Sequence, residues 1–494
     1  MLLLGIDIGT SSIKVSIVDA HNKQVLASAQ YPESESPIIA VKPGWAEQSP
    51  KMWWEHTKMA ILKCNATGNY NPLDIQSIGI AYQMHGLVVV DKDQKILRNS
   101  IIWCDSRAVE IGNKAFAELG EEYCLQHLLN SPGNFTASKL AWIKENEPDI
   151  FEKTDKIMLP GDYISMELTG EVTASAETLS EGVFYDFVEN RLSQKILNYF
   201  GFSENIIPEI REVFSVHGTL LASIAAELGL KKGIPVSYKA GDQPNNALSL
   251  NVLQPGEIAA TAGTSGVIYG VSDQLIYDDE SRINTFAHVN HSESERRLGA
   301  LLCINGTGSM YRWMKNILGE NTTYQQLNEE ASHIPVGSNN LQVLPFGNGA
   351  ERMLNNKLIG TQFINIDLNL HTRAHLVRAT QEGIAFAFRY GFDIMKENGM
   401  NAKVIKAGRA NLFLSDVFVE AFVNTIGVPL ELYKNDGSVG AALGAGIGSG
   451  AFANFEEAFE NTEPIKTVEP TLNTYEAEYS KWLESLKSHL SKSK

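Results

Sequence analysis

Twice along this chain, a short apolar run ends in Gly-Thr-Ser and a second apolar run follows directly. The two turns comprise Gly9, Thr10 and Ser11 in the first copy, and Gly263, Thr264, Ser265 and Gly266 in the second. A glycine turn of this kind gathers backbone N–H groups and hydroxyls in a small concavity that suits the oxygens of a phosphate. Each turn alone is more often a simple hairpin, whereas two of them facing each other across a cleft would grip a polyphosphate from both sides.

Two carboxylates adjoin the apolar runs. Asp7 interrupts the run before the first turn, and Asp242 follows Gly241 after a predicted strand at residues 234–239. Because a buried carboxylate is costly unless it is paired or near a cation, Asp7 is predicted to hold Mg²⁺ beside the phosphates. A hydrogen bond to the loop backbone is the alternative for Asp7. Asp242 is predicted at the carboxyl end of a strand, where α/β folds place their sites, although a helix N-cap would have the same position.

Strands and helices alternate along the chain with glycines at their joints, which predicts an α/β fold. The patterns predict strands at residues 2–8, 13–19, 24–31, 75–82, 87–91 and 403–407, and helices at 50–64, 305–318, 371–397, 439–452 and 475–490. The two Gly-Thr-Ser turns lie near the starts of two roughly equal halves, as an internal duplication requires. Since 494 residues also exceed one compact core, we predict two domains, at residues 1–250 and 251–494.

Composition and charge exclude several classes of partner. The net charge is −17 and no Lys/Arg-rich tract stands out, which argues against nucleic-acid binding. The four cysteines form no CxxC pair, so neither a zinc site nor a disulfide framework is expected. Unpaired cysteines of this kind suit the reducing cytosol. The apolar N-terminus is broken by Asp7 without a basic leader, and the Gly/Ala-rich run at 439–452 is shorter than the ~20 residues of a membrane span. We therefore predict a soluble cytoplasmic protein without a membrane partner.

Seven segments, in order along residues 3–450, resemble the motifs of the FGGY carbohydrate kinases. They are GIDIGTSSIKV, TASKLAWIKENEP, AGDQ, AGTSG, HLVRATQEGIAF, AGRANLFLSDVF and DGSVGAALGAG. The resemblance implies two actin-like, ribonuclease H-like domains of the hexokinase ATPase type, with a cleft between them. It also implies an enzyme that uses ATP and Mg²⁺ to phosphorylate a small sugar.

The same resemblance assigns residues to the nucleotide and to the reaction. Asp242 would be the general base, Asp7 would hold Mg²⁺, and the two Gly-Thr-Ser turns would bind the phosphates. The nucleoside would be bordered by Gly306, Gly408, Arg409 and Asn411. Arg409 stands where the family usually has a further glycine, and it would stack on the adenine or contact a phosphate.

Within the family, the segments GIAYQMHGLVVVD and IIWCDSRA are most similar to the xylulokinases, whose Met-His pair lines the sugar site. The similarity implies D-xylulose as the acceptor and D-xylulose 5-phosphate as the product. The implied sugar contacts are Met84, His85, Asp242 and Gln243, with Trp103 and Asp105 as further candidates. By residue type alone, His85 in apolar surroundings would be a core histidine. A homodimer is compatible with the resemblance.

Departures from the family pattern keep other functions open. Gln243 stands where xylulokinases commonly have asparagine, and Asn365 stands where a glycine is usual. A family member acting on ribulose or gluconate is one alternative, and a catalytically silent sugar-binding regulator is another. A glycerol kinase is disfavoured because residues 83–86 lack the Arg-Glu pair of those enzymes. A dinucleotide-dependent oxidoreductase is set aside because no GxGxxG follows the first strand.

Overall fold

The computed structural model describes residues 1–319, 322–471 and 474–492, and two large mixed sheets dominate it. The N-terminal sheet is built from β1 (Leu2–Ile8), β2 (Ile13–Asp19), β3 (Val25–Tyr31), β4 (Ile75–Tyr82) and β5 (Pro235–Gly241). The C-terminal sheet is built from β6 (Glu257–Ala262), β7 (Gly266–Ser272), β8 (Leu298–Ile304), β9 (Val404–Gly408) and β10 (Leu430–Tyr433). Short edge strands extend them at Gly218–Thr219 in the first sheet, and at Asn284–Ala287 and Lys466–Val468 in the second.

The two sheets share one topology. In the N-terminal sheet, β1, β2 and β3 form an antiparallel meander, and β4 and then β5 join the other side of β1 in parallel. In the C-terminal sheet, β6, β7 and β8 form the same meander, and β9 and then β10 join β6 in parallel. A Gly-Thr-Ser turn follows the first strand of each meander, so the duplication predicted from the paired turns is confirmed, as is the α/β class.

Helices cover both sheets and connect their strands. The helices of the site and its surroundings are α1 (Pro50–Asn65), α2 (Ala176–Glu181), α3 (Asp242–Ser249), α4 (Gly308–Leu318), α5 (Arg373–Glu397), α6 (Gly437–Gly448) and α7 (Thr474–Lys492). Further helices span Val109–Leu119, Thr136–Asn146, Pro160–Thr169, Gln194–Phe200, Ala222–Leu228, Tyr324–Ser332 and Asp416–Ile426. The predicted helices agree with these bounds to within about a turn. In the described ranges, no helix combines the length and the apolar character that crossing a bilayer requires.

Helix α6 belongs to the C-terminal half of the sequence but packs on the N-terminal sheet. It lies over Gly5 of β1 and Gly79 of β4, which are direct neighbours in the parallel register. A Cβ on Gly5 would lie 1.8 Å from the carbonyl oxygen of Ser438, and a Cβ on Gly79 would lie 1.9 Å from that of Ala441. Only glycine allows the helix backbone to approach this closely, so close packing explains the Gly/Ala-rich run.

Helices α3 and α6 pack against each other, and α3 also contacts strands of both sheets. The side-chain amide of Asn245 in α3 donates to the carbonyl oxygen of Gly437 in α6, at 2.9 Å. Lys14 of β2 pairs with Asp436, the residue that caps α6. Because α3 follows β5 and α6 follows β10, each sheet delivers the start of one helix to this junction.

Candidate active site

Two half-buried carboxylates lie at the junction of the sheets. Asp7 is the only residue of β1 that is not fully buried, and Asp242 is the first residue of α3. Burial and then the charge of Asp436 raise the pKa of Asp7 to about 6, against the opposing effect of Lys14. Burial and then the charge of Asp7 raise the pKa of Asp242 to about 7, partly offset by hydrogen bonding from Gln243. The two carboxylates are therefore close enough to repel each other.

Lys14, the cation whose charge acts on Asp7, is shared with a third carboxylate. Lys14 is paired with Asp436, and the Asp7 carboxylate accepts no hydrogen bond from the described residues. Within the described ranges, no group of three or more His, Cys, Asp and Glu side chains could hold a metal by itself. Mg²⁺ commonly takes one or two carboxylates and completes its shell with water and phosphate oxygens. An unpaired Asp7 beside a bound polyphosphate fits this ion.

The first Gly-Thr-Ser turn is closed by its own backbone. The N–H of Gly9 donates to the carbonyl oxygen of Ser12 at 3.1 Å. The hydroxyl of Thr10 accepts the indole N–H of Trp103 at 3.0 Å, which ties a half-exposed ring to the turn. Ser11 is exposed at the tip. The turn is therefore held by a backbone hydrogen bond, and its tip is exposed.

The second turn borders a cavity of about 350 Å³. The carbonyl oxygens of Gly263 and Thr264 accept the N–H groups of Gly308 and Ser309, at 2.9 and 3.0 Å, which fixes the turn against the start of α4. The lining includes Thr264, Tyr311, Arg312, Tyr324 and Asn411. A phosphate-type turn, a guanidinium and two tyrosine rings around one cavity suit a nucleotide.

Met84 and His85 follow β4 after one intervening residue, and Met84 contacts the end of β5. A Cβ on Gly241 would lie 2.7 Å from Cγ of Met84, so the segment after β4 and the end of β5 are in close contact. His85 has φ +61°, its N–H donates to Glu181 at 2.5 Å, and its carbonyl oxygen accepts from Lys139 at 2.6 Å. Burial and then the charge of Lys139 lower the pKa of His85 to about 3, so the ring is neutral at neutral pH. Its Nδ1 has no hydrogen-bond partner among the described residues.

Family models cover most of the chain. The model of the N-terminal domain of the FGGY family of carbohydrate kinases matches residues 2–249, and the model of the C-terminal domain matches residues 258–449. The chain belongs to this family. It is an FGGY carbohydrate kinase.

Related proteins and solved structures agree with the architecture of this FGGY kinase. The xylulose kinase of Bacillus subtilis (strain 168) is 29% identical over 466 residues, which cover 93% of this chain and 90% of the relative. The crystal structure of a xyloylose kinase from Brucella ovis has a TM-score of 0.87 at 27% identity, with 99% of both chains covered. The crystal structure of gluconate kinase from Lactobacillus acidophilus has a TM-score of 0.88 at 22% identity, covering 99% of this chain and 98% of that one. At that identity the likeness shows the fold alone. The two-domain actin-like fold is thereby confirmed.

The residues predicted to border the nucleoside of this FGGY kinase lie in more than one place. Asn411 lines the cavity beside the second turn. Gly408 ends β9, and Arg409 after it is exposed, with its backbone N–H donating to Tyr433 at 2.8 Å. Gly306 lines a neighbouring cavity of about 540 Å³. In the second turn, Ser265 is half-buried, whereas Gly266 is buried as the first residue of β7.

Asp105 is engaged by the protein itself, unlike the other sugar candidates His85 and Gln243, which each keep an unpartnered side-chain atom among the described residues. Its carboxylate is completely buried and accepts the N–H of Ala46 at 2.6 Å and a guanidinium N–H of Arg107 at 2.7 Å. Asp105 is therefore placed to fix the loop after Trp103 rather than to meet a sugar hydroxyl. Gln243 lies beside the Asp242 carboxylate, and its Oε1 has no hydrogen-bond partner among the described residues.

The departure at Asn365 has a backbone explanation. Asn365 has φ +65°, in the left-handed region that glycine adopts most easily. Asparagine is among the few other residues that tolerate this conformation, because its short polar side chain can bond locally. The substitution therefore preserves the turn.

Two buried glutamates in this FGGY kinase were not among the predicted site residues. Glu177 and Glu181 lie on α2, and burial raises the pKa of both. Glu177 accepts the N–H of Gly241 at 3.1 Å, and Glu181 accepts the N–H of His85. The sequence feature that could have indicated them is a pair of glutamates four residues apart in the segment before Tyr185. That spacing alone is also typical of an exposed helix face.

Proposed function

We propose that this kinase transfers the γ-phosphate of MgATP to the terminal hydroxyl of D-xylulose and releases D-xylulose 5-phosphate. The observation that carries the proposal is the position of Asp242, which interacts with Asp7 and directly follows the contact between Gly241 and Met84. The relative named xylulose kinase from Bacillus subtilis supports the choice of acceptor. We place the enzyme in the cytoplasm, where its four free cysteines would stay reduced.

Asp242 accepts the proton of the attacking hydroxyl in this mechanism. A general base works best when its pKa lies near the working pH, and burial has moved the pKa of Asp242 there. Gln243 hydrogen-bonds to the carboxylate and so orients it. General-base catalysis of this kind typically contributes about 10²–10⁴ in rate.

The two turns and Asp7 hold the nucleotide. Backbone N–H groups of the two Gly-Thr-Ser turns that are not already bonded within the protein bind phosphate oxygens from opposite sheets, and Asn411 borders the nucleoside. Asp7 would hold Mg²⁺, which would supply neutralisation of the charge on the transferring phosphate. Arg409 is exposed after β9 and would reach the nucleotide from the solvent side.

The sugar lies against Met84, His85, Gln243 and the indole of Trp103. The unpartnered Nδ1 of His85 and Oε1 of Gln243 offer hydrogen bonds that a polyhydroxylated acceptor would complete. Because burial keeps the His85 ring neutral, one of its nitrogens can donate a hydrogen bond and the other can accept one.

A coupled assay of ADP release tests the acceptor. MgATP is supplied with D-xylulose, D-ribulose, L-ribulose, gluconate or glycerol, and D-xylulose is expected to give the highest kcat/KM. A higher value with another polyol would retain the kinase and replace the acceptor. Sugar binding without ADP release for any compound would instead indicate a silent regulator.

The pH dependence of kcat/KM for the sugar is expected to show an acidic limb. Below its pKa, Asp242 is protonated and cannot accept a proton, so activity should rise with pH. Burial and then the charge of Asp7 raise the pKa of Asp242 to about 7, and Mg²⁺ held nearby would lower it, so the limb is expected below about pH 7. The coupled assay from about pH 5 to 8 at saturating MgATP measures the limb. A flat profile over that range would contradict the assignment of an acidic limb to Asp242 in the nucleotide complex.

Sugar and nucleotide together are expected to make the protein more compact. Closing two lobes over the acceptor excludes water and so protects ATP from hydrolysis. Small-angle scattering with D-xylulose and a non-hydrolysable ATP analogue should give a smaller radius of gyration than the free enzyme. The nucleotide with a sugar that is not turned over is the control. An unchanged radius with the full ligand pair would argue against closure.

A further inference from the structure

Glu181 is a buried residue with one free carboxyl oxygen. It is the last residue of α2, and its side chain is completely buried. Its Oε1 accepts the N–H of His85 at 2.5 Å. Its Oε2 has no hydrogen-bond partner among the described residues. Because buried polar atoms are nearly always paired, this free oxygen requires an explanation.

The free oxygen lies beside the proposed base. Oε2 of Glu181 is 2.9 Å from the position that a Cβ on Gly241 would take, and Cγ of Met84 is 2.7 Å from the same position. Gly241 is the residue before Asp242. Glu181 therefore contacts the surface that Gly241 and Met84 form next to Asp242, which is called the acceptor wall below.

Other unpartnered atoms belong to the same neighbourhood. Nδ1 of His85 and Oε1 of Gln243 are also buried without a partner among the described residues. Nδ1 of His85 is 3.8 Å from Oε1 of Glu181. Glu181 interacts with the charge of Asp242, Gln243 directly follows Asp242, and His85 is bonded to Glu181. Three unpaired polar groups connected in this way are expected where a polar ligand completes the hydrogen bonds.

The protonation of Glu181 is compatible with this role. Burial and then the charge of Glu177 raise its pKa, with Asp242 and Asp162 adding to the effect and the N–H of His85 opposing it. A neutral carboxylic acid can donate through one oxygen and accept through the other. It also adds no further negative charge beside Asp242.

We propose that Glu181 is a substrate-contacting residue that binds one hydroxyl of the acceptor sugar through Oε2 while Oε1 holds the backbone of His85. This inference rests on the proposed function, since it assigns an additional contact within the same acceptor site. The contact would select sugars by the position and configuration of that hydroxyl.

Glu177 provides a matched control. It lies on the same short helix, is equally buried, and also has a raised pKa. Both of its oxygens are engaged, one by the N–H of Gly241 at 3.1 Å and the other by the hydroxyl of Tyr82 at 3.4 Å. Glu177 is therefore expected to hold Gly241 in the acceptor wall without contacting the sugar.

The test combines variants of the enzyme with variants of the sugar. For wild type, Glu181→Ala and Glu177→Gln, kcat/KM is measured with the preferred acceptor and with analogues that each lack one hydroxyl. For one analogue, we expect kcat/KM to fall at least tenfold below that of the preferred acceptor with wild type. With Glu181→Ala, the corresponding fall should be less than threefold. The losses for the other analogues should be the same in all three proteins. Uniform losses across every analogue would show that Glu181 is only structural and would overturn the proposal.

Two further measurements keep the outcome decisive. If Glu181→Ala does not fold, Glu181→Gln replaces it, and the same analogue should change its relative kcat/KM by at least threefold. If wild type turns over no acceptor, the proposed function fails, and calorimetric binding of D-xylulose and its deoxy analogues then decides on Glu181. Equal binding selectivity in wild type and variant would overturn the contact.

Discussion

Asp242→Asn is expected to lower kcat by about 10²–10⁴ while leaving the binding of sugar and nucleotide nearly unchanged. The amide has the shape of the carboxylate but cannot accept the proton of the attacking hydroxyl. Turnover is measured by ADP release, and binding by calorimetry with D-xylulose and with MgADP. A fall of less than about tenfold, well short of the general-base range, would remove Asp242 from that role.

Asp416→Asn is the matched control for this substitution. Asp416 also begins a helix in the first position, but it is exposed and pairs with Lys466 at the surface. Its loss should change kcat by less than about twofold, because exposed ion pairs contribute little. The two variants should also differ in stability. Folding raises the pKa of Asp242 above its usual 3.8, so ionisation destabilises the native state as the pH rises, and Asp242→Asn should be at least as stable as wild type at neutral pH.

Gly79→Ala is expected to destabilise the protein by about 1–3 kcal/mol or more, the usual range for overpacking. The new Cβ would lie 1.9 Å from the carbonyl oxygen of Ala441 and 3.1 Å from Cβ of Ala445, both in α6. The helix must move away from the sheet to relieve this overlap. Since α6 begins at Gly437, next to the Asp7 carboxylate, activity should fall as well. Urea unfolding and the coupled assay measure the two effects.

Gln76→Ala is the control in the same strand. Gln76 lies three residues before Gly79 in β4, and its side chain is exposed. Its removal should change the free energy of unfolding by less than about 0.5 kcal/mol. A Gly79→Ala variant with the stability and activity of Gln76→Ala would show that α6 is free to move away from the sheet.

The chemistry of the site depends on charges that the fold concentrates. Asp7, Asp242 and Asp436 approach one another from different parts of the chain, and Lys14 pairs with Asp436. Burial, and then the repulsion between neighbouring carboxylates, raises the pKa of both Asp7 and Asp242. Repulsion between these carboxylates in the free enzyme would be reduced when MgATP binds, which agrees with the proposed transfer.

Sequence alone identified the features that depend on short stretches of chain. The apolar period of β1 and the glycine turn after it are set by neighbouring residues, so their positions could be predicted to within about a turn. The repeat of that pattern near Gly263 predicted the duplication, which the matching topology of the two sheets confirms. Asp7 and Asp242 could be singled out because a carboxylate is unusual in or directly after an apolar strand.

Tertiary structure alone decided which distant residues meet. Glu181 contacts His85 across 96 positions, and Lys14 pairs with Asp436 across 422, distances at which no local period carries information. The same holds for α6, whose place on the N-terminal sheet depends on Gly5 and Gly79 leaving room for it. Burial in three dimensions, rather than spacing along the chain, distinguishes the free oxygen of Glu181 from an ordinary surface carboxylate.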